Sequence, residues 1–200
     1  MKNSLIIFSI DNTYSPLLAN LLASLKKNSP STVKESDIII YHTGLLKNNI
    51  KALDCFFSNI KYININESSF IPNIFYNHPD CKKWGKHMFT KFNALKLLND
   101  YQYVLWLDAD LYINSDISLI FNTKEISFRK ARTWNLDNIF PELKVKTFPG
   151  IASGVVLFTN KLIDYNISID SLIDIYNHVK DIPVAAVDER MIAYLIYKKY

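Results

Sequence analysis

Along the 200-residue chain, short unbroken apolar runs alternate with longer stretches whose apolar residues return every three or four positions. The runs are rich in β-branched and aromatic residues and read as buried strands, while the periodic stretches read as helices with one apolar face. Leu5 to Ile10 is the first strand. Ser15-Pro16 reads as a helix start, serine as cap and proline at the first helical position, followed by Leu17, Leu18, Leu21, Leu22 and Leu25 at helical spacing. Asp37 to Tyr41 is a second strand, Leu46 to Phe57 fits a helix, and Lys61 to Ile65 is a third strand. Asn66 to Trp84 holds two prolines, shows no period and reads as loop. A helix over Lys86 to Leu98 precedes a strand entered at Tyr103. Phe128 to Ala131 and Gly150 to Thr159 are further strands, and Ile169 to Val179 and Glu189 to Tyr197 finish the chain as amphipathic helices.

Strands alternating with helices predict an α/β fold with a mostly parallel central sheet. No repeat, low-complexity segment or linker divides residues 1–200, so one domain is expected. In such sheets ligands bind beyond the carboxyl ends of the strands. Asp11 stands at that edge after the first strand, and Asp108 and Asp110 stand there after VLWL.

Composition narrows the ligand only a little. A net charge of +4 favours an anionic ligand or contact with a membrane surface, and is too weak to argue for nucleic acid. Cys55 and Cys81 have no CxxC or Cys/His spacing, which suits two reduced cysteines in a cytoplasmic protein. The apolar run ending at Asp11 is too short for a signal-peptide core or a bilayer span, and no later segment is long enough to span. A cytoplasmic location is therefore expected, with peripheral contact to a membrane as an option.

The chemistry centres on VLWLDADLYINSD. In an extended backbone, residues two apart share a face, so Asp108 and Asp110 would meet at one spot. Like charges held close repel unless a cation or water intervenes. Mg2+ or Mn2+ suits such a pair, since hard cations prefer carboxylate oxygen and often share their shell with a substrate's phosphates. Simple solvation of a strand end is the alternative. The four glycines form neither GxGxxG nor GxxxxGK[ST], and GxSxG is absent. An aspartyl phosphatase would usually have Thr or Val where Tyr112 stands, and would carry its DxD on the first strand. A nucleotidyltransferase would usually need a Gly-rich phosphate loop near the N-terminus.

VLWLDADLYINSDISLIF resembles the strand–DxD–helix segment of nucleotide-sugar glycosyltransferases of the GT-A fold, family 8 in particular, which includes lipooligosaccharide galactosyltransferases and glycogenins. LIIFSIDNTY, TKFNALKLLNDYQYVLWLDAD, GIASGVVLFTN and VDERMIAYLIY are similar to further segments of that family, in family order. The resemblance implies a single GT-A domain that uses a UDP-sugar donor, a glycan or glycolipid acceptor and Mn2+ or Mg2+, with retention of anomeric configuration. It implies Asp110 as metal ligand and Asp108 as second ligand or ribose partner. Asp11 would accept the uracil N–H, Tyr14 would border the base, and Lys91 would neutralise phosphate. Ser153 and Gly154 would admit the donor sugar, Asp188 would bind its hydroxyls, and Glu189 would face the anomeric carbon.

Three departures stand out. Lys91 replaces the family's usual Arg, and Ala152-Ser153-Gly154 replaces Asn-Ala-Gly. The C-terminal His and Lys motif of many members is absent before Tyr200, leaving an inactive sugar-nucleotide-binding or scaffold subunit as the alternative. None of His42, His78, His87 and His178 stands in a matching place, so none is assigned to metal. Asp116 reads as a helix cap, and Trp84 and Trp134, in loop-like regions, could offer a sugar-stacking face, with buried packing the favoured reading.

Overall fold

The first strand, β1 (Ser4–Ile10), is apolar at odd and even positions alike, so both of its faces need cover. The computed structural model describes residues 2–68, 71–135, 147–164, 169–182 and 186–197. In it Leu5 and Ile7 face one core with Ile39, Tyr41, Val104, Trp106, Val156 and Phe158. Ile6, Phe8 and Ile10 face a second with Ile38, Ile40, Leu105, Leu107 and Leu157. The pleat alone produces this division, because alternate side chains leave a strand in opposite directions.

After β1 come α1 (Ser15–Asn28), α2 (Pro30–Glu35), β2 (Ser36–His42), α3 (Lys47–Asp54) and β3 (Ile60–Asn64). Four short helices follow: α4 (Ile65–Ser68), α5 (Asn73–Tyr76), α6 (Pro79–Trp84) and α7 (His87–Thr90). A 3-10 turn, Lys91–Asn93, and α8 (Ala94–Leu97) lead into β4 (Tyr103–Leu107). The remaining elements are a 3-10 turn at Ser118–Asn122, β5 (Ser127–Asn135), β6 (Thr147–Thr159), α9 (Lys161–Asp164), α10 (Ile169–Val179) and α11 (Val187–Tyr197). The sheet runs β3-β2-β1-β4-β6-β5. β3, β2, β1 and β4 are parallel, and β6 is antiparallel to both its neighbours. This is the expected α/β domain, with helices over both faces of a mostly parallel sheet.

Local differences have physical causes. Ser15 is not the cap of α1; Tyr14 holds that position, and Asp11 Oδ1 accepts from the Thr13 and Tyr14 amides at 2.8 and 3.0 Å. The loop expected over Asn66 to Trp84 contains α5 and α6, each entered through a proline, with His78 Nδ1 accepting from the Asp80 amide. These helices are too short to show a period. The single helix expected over Lys86 to Leu98 is broken by the 3-10 turn that carries the buried Lys91 and Asn93. Asp116 does act at a turn entry, accepting from the Ser118 amide and hydroxyl at 3.1 and 2.8 Å. Residues 136–146, most of the segment between Trp134 and Phe148, lie outside the described residues.

β2 and β3 extend the sheet on one side of β1, and β4 joins on the other. The order in which strands are added therefore switches sides at β1, opening a crevice beyond the carboxyl ends of β1 and β4. Ile7 pairs with Trp106, so Asp11 and Asp108 leave neighbouring strands at the same edge.

Candidate active site

A cleft of about 550 Å³ occupies that crevice, and Asp11, Tyr14, Lys91, Asp108, Asp110, Ser153, Asp188 and Glu189 all line it. Residues far apart in sequence are brought together by the sheet order.

Asp108 is the residue just beyond β4 and keeps the strand's parity, on the side of Trp106. The Trp106 indole N–H donates to its Oδ1 at 2.8 Å, and its own amide donates to the Gly154 carbonyl at 2.8 Å. Its Oδ2 lies only 2.8 Å from where a Cβ on residue 154 would stand, so the glycine leaves the space that the carboxylate fills. Ala109 and Asp110 then turn away, and Asp110 is exposed at the lip. The two carboxylates reach the cleft through this turn rather than through continued strand alternation. Burial pushes the Asp108 carboxyl above its ordinary range; Lys91 and the Trp106 bond oppose this, while Asp188 and Asp110 add to it.

β6 supplies the floor through an irregularity. Its register with β5 jumps from Phe128–Val156 to Arg129–Ala152, leaving Ser153 and Gly154 without partners on that side. Their polar backbone groups must bond elsewhere. The Ser153 amide donates to Glu189 Oε1 at 3.3 Å, and its carbonyl accepts from Lys91 Nζ at 3.2 Å. Lys91 Nζ also meets Asp188 Oδ2 at 2.5 Å, with both side chains about 3% exposed. Lys91 is accordingly no solvated helix residue; its charge is matched inside the floor. Burial, reinforced by the neighbouring Asp188 charge, raises the Glu189 carboxyl above its usual range, and backbone bonds from Ser153 and Ala186 pull the other way.

Other lining residues carry no signal in the sequence. His87 Nδ1 is 2.7 Å from Ser9 Oγ, and burial lowers its pKa, so the ring is neutral at neutral pH. Trp84, expected to be packed, is 56% exposed on the cleft wall. Trp134 sits in β5 opposite Phe148.

Asp108 and Asp110 fit a hard divalent cation. Asp108 Oδ2 and both Asp110 oxygens have no hydrogen-bond or ion-pair partner among the described residues, and one carboxylate is seated in a space shaped for it. No group of three or more candidate ligands occurs among the described residues.

The sequence pattern of Glycosyl transferase family 8 matches residues 5–190. The chain belongs to this family. Among solved structures, the family 8 chain is similar to the galactosyltransferase LgtC in complex with donor and acceptor sugar analogs, with TM-score 0.71 and 16% identity over 96% of this chain and 70% of that one. Mouse xyloside xylosyltransferase 1 aligns with TM-score 0.61 and 9% identity over 98% and 82% of the two chains. A Pyrobaculum calidifontis mannosyltransferase in complex with GDP-Man and Mn2+ aligns with TM-score 0.56 and 12% identity over 99% and 53%. At these identities the likeness speaks for the GT-A fold. No curated protein sequence matches the chain significantly. No described helix is long and apolar enough to cross a membrane.

Proposed function

We propose that this cleft transfers a hexose from a UDP-sugar to a glycan or glycolipid acceptor, with Mn2+ or Mg2+ held by Asp108 and Asp110. One observation carries the reading: a carboxylate pair with open oxygens stands at the end of β4, in one cleft with the Asp11–Tyr14 loop and the start of α11. Family membership supports glycosyl transfer. The LgtC complex with donor and acceptor sugar analogs supports transfer between sugars, and the mannosyltransferase complex with GDP-Man and Mn2+ supports a nucleotide-sugar donor with a divalent metal.

The bound ion would act as a Lewis acid toward the diphosphate, on which negative charge builds as the sugar leaves. Asp11 Oδ1 shapes the loop by binding two amides, and its Oδ2 would accept an N–H of the base, with Tyr14 bordering the ring. Lys91 anchors Asp188 and the Ser153 carbonyl, so that Asp188 would present its other oxygen to donor-sugar hydroxyls. Glu189 would face the anomeric carbon. There a poorly solvated carboxylate serves as nucleophile or as stabiliser of an oxocarbenium-like transition state. Retention follows from the first role by double displacement, and from the second when the acceptor attacks from the leaving-group face.

Calorimetric titration with UDP, with and without Mn2+, tests the reading. Binding should require the metal, and Asp110→Ala should weaken it and reduce turnover by about 100-fold or more. If the wild-type chain binds no UDP under any condition, the reading fails and a scaffold role takes its place.

A further inference from the structure

The five carboxylates that line the cleft, Asp11, Asp108, Asp110, Asp188 and Glu189, come from the β1 and β4 ends and from α11. Another part of the lining is of different character. It consists of Lys83 and Trp84 at the end of α6, then Gly85, His87 and Met88. Gly85 takes φ +75°, a conformation that suits glycine, and closes α6 through a bond from its amide to the Cys81 carbonyl at 3.0 Å. Trp84 ends that helix 56% exposed and belongs to neither core. Lys83 Nζ lies 4.5 Å from the centroid of its ring, and Lys86 Nζ lies 4.9 Å from that of Tyr76. Neither lysine is ion-paired with a carboxylate among the described residues.

An exposed indole beside a cation is a platform for one kind of ligand. The ring face that Lys83 does not cover is apolar and suits the C–H side of a pyranose, and the ammonium over the other face offers a partner for an anion. Of the lysines lining the cleft, Lys91 is matched by Asp188, so Lys83 is the one whose charge remains for a ligand. The location points to the acceptor. Asp80, in α6, accepts from the Val187 amide at 2.9 Å, which ties this helix to the turn bearing Glu189. If Glu189 faces the anomeric carbon, the acceptor hydroxyl must reach that same carbon from the leaving-group face, inside the cleft that Lys83 and Trp84 also line.

We infer that Trp84 and Lys83 form an acceptor subsite for a sugar carrying a negative charge, a carboxylate or a phosphate. This rests on the glycosyl-transfer reading. The test follows the Trp84 indole N–H signal by NMR, assigned with Trp84→Phe, in the full chain with saturating UDP and Mg2+. The probes are methyl β-glucuronoside, the 6-phosphate of methyl β-glucoside, and methyl β-glucoside itself. At least one charged probe should shift the Trp84 signal and bind about tenfold tighter than the neutral one. Lys83→Gln should remove that preference and leave UDP affinity unchanged. Whichever charged probe binds tighter identifies the acid group. Equal binding of charged and neutral probes, or no probe binding beside normal UDP binding, overturns the inference alone. So does a loss of UDP affinity in Lys83→Gln, which would assign Lys83 to the donor diphosphate. A wild-type chain that binds no UDP removes the transfer reading and this inference with it.

Discussion

Gly154 shows how a single missing atom can set a site. Its Cα borders Asp108 so closely that a methyl group would lie 2.8 Å from Oδ2. The carboxylate is the movable end of a side chain, so Gly154→Ala should fold and displace Asp108 instead of disrupting β6. We expect a melting temperature near that of the wild type with activity lowered about 100-fold, as misplacement by about 1 Å can cause. Equal activity, or a large fall in stability, would refute this account. Lys91 makes the complementary point. A buried cation is tolerated because Asp188 and the Ser153 carbonyl meet it, so the ion pair belongs to the architecture of the floor as much as to its chemistry.

At the scale of elements, the start of α11 is held from outside. Its first amide, Val187, donates to Asp80 of α6, whose Oδ2 also lies 3.8 Å from Arg190 NH2. Arg190 in turn donates to the Val179 carbonyl at 2.6 Å and to that of Ile182, and His78 Nε2 is 3.0 Å from the Lys180 carbonyl. Asp80 thus serves as a helix cap supplied by another element, with its negative charge at the positive end of α11. Asp80→Ala should cost about 1–2 kcal/mol of stability, typical of losing a cap. For a chain of this size that is a fall of roughly 2–8 °C in melting temperature. Because Asp188 and Glu189 follow Val187 directly, kcat and the affinity for the sugar donor should both fall, while affinity for UDP alone stays close to that of the wild type. Thermal unfolding and steady-state kinetics on the same variant read the two effects separately.

Over the whole molecule, the site weakens the fold in a pH-dependent way. Glu189 has its pKa raised by burial, so the folded state holds its proton more tightly than the unfolded state does. That group's contribution to stability is present below the ordinary carboxylate pKa and is lost as pH rises through the raised one. Glu189→Gln, which keeps an acceptor for the Ser153 amide, should therefore melt above the wild type at neutral pH. The gap should close as pH falls below about 4, where both forms are neutral. Melting curves from about pH 3 to pH 8 measure it, and a gap independent of pH would mean that Glu189 ionises in the fold without penalty.

Much of the fold was legible because burial on both faces of a sheet leaves continuous apolar runs, as in Leu5 to Ile10 and Val104 to Leu107. Where such a run stops at an acid, as at Asp11 and Asp108, the strand end and its functional edge are both marked. Short helices such as α5 and α6 stayed hidden because fewer than two turns cannot display a period. The residues that orient the site were equally hidden. The bond from Trp106 to Asp108, the space left by Gly154, the pairing of Lys91 with Asp188 and the exposure of Trp84 follow from strand order, the β6 irregularity and contacts across the chain. The sequence by itself determined which segments are strands and which residues carry charge. Only the tertiary structure decided which of those charges meet, because that depends on distances between elements that neighbouring residues do not encode.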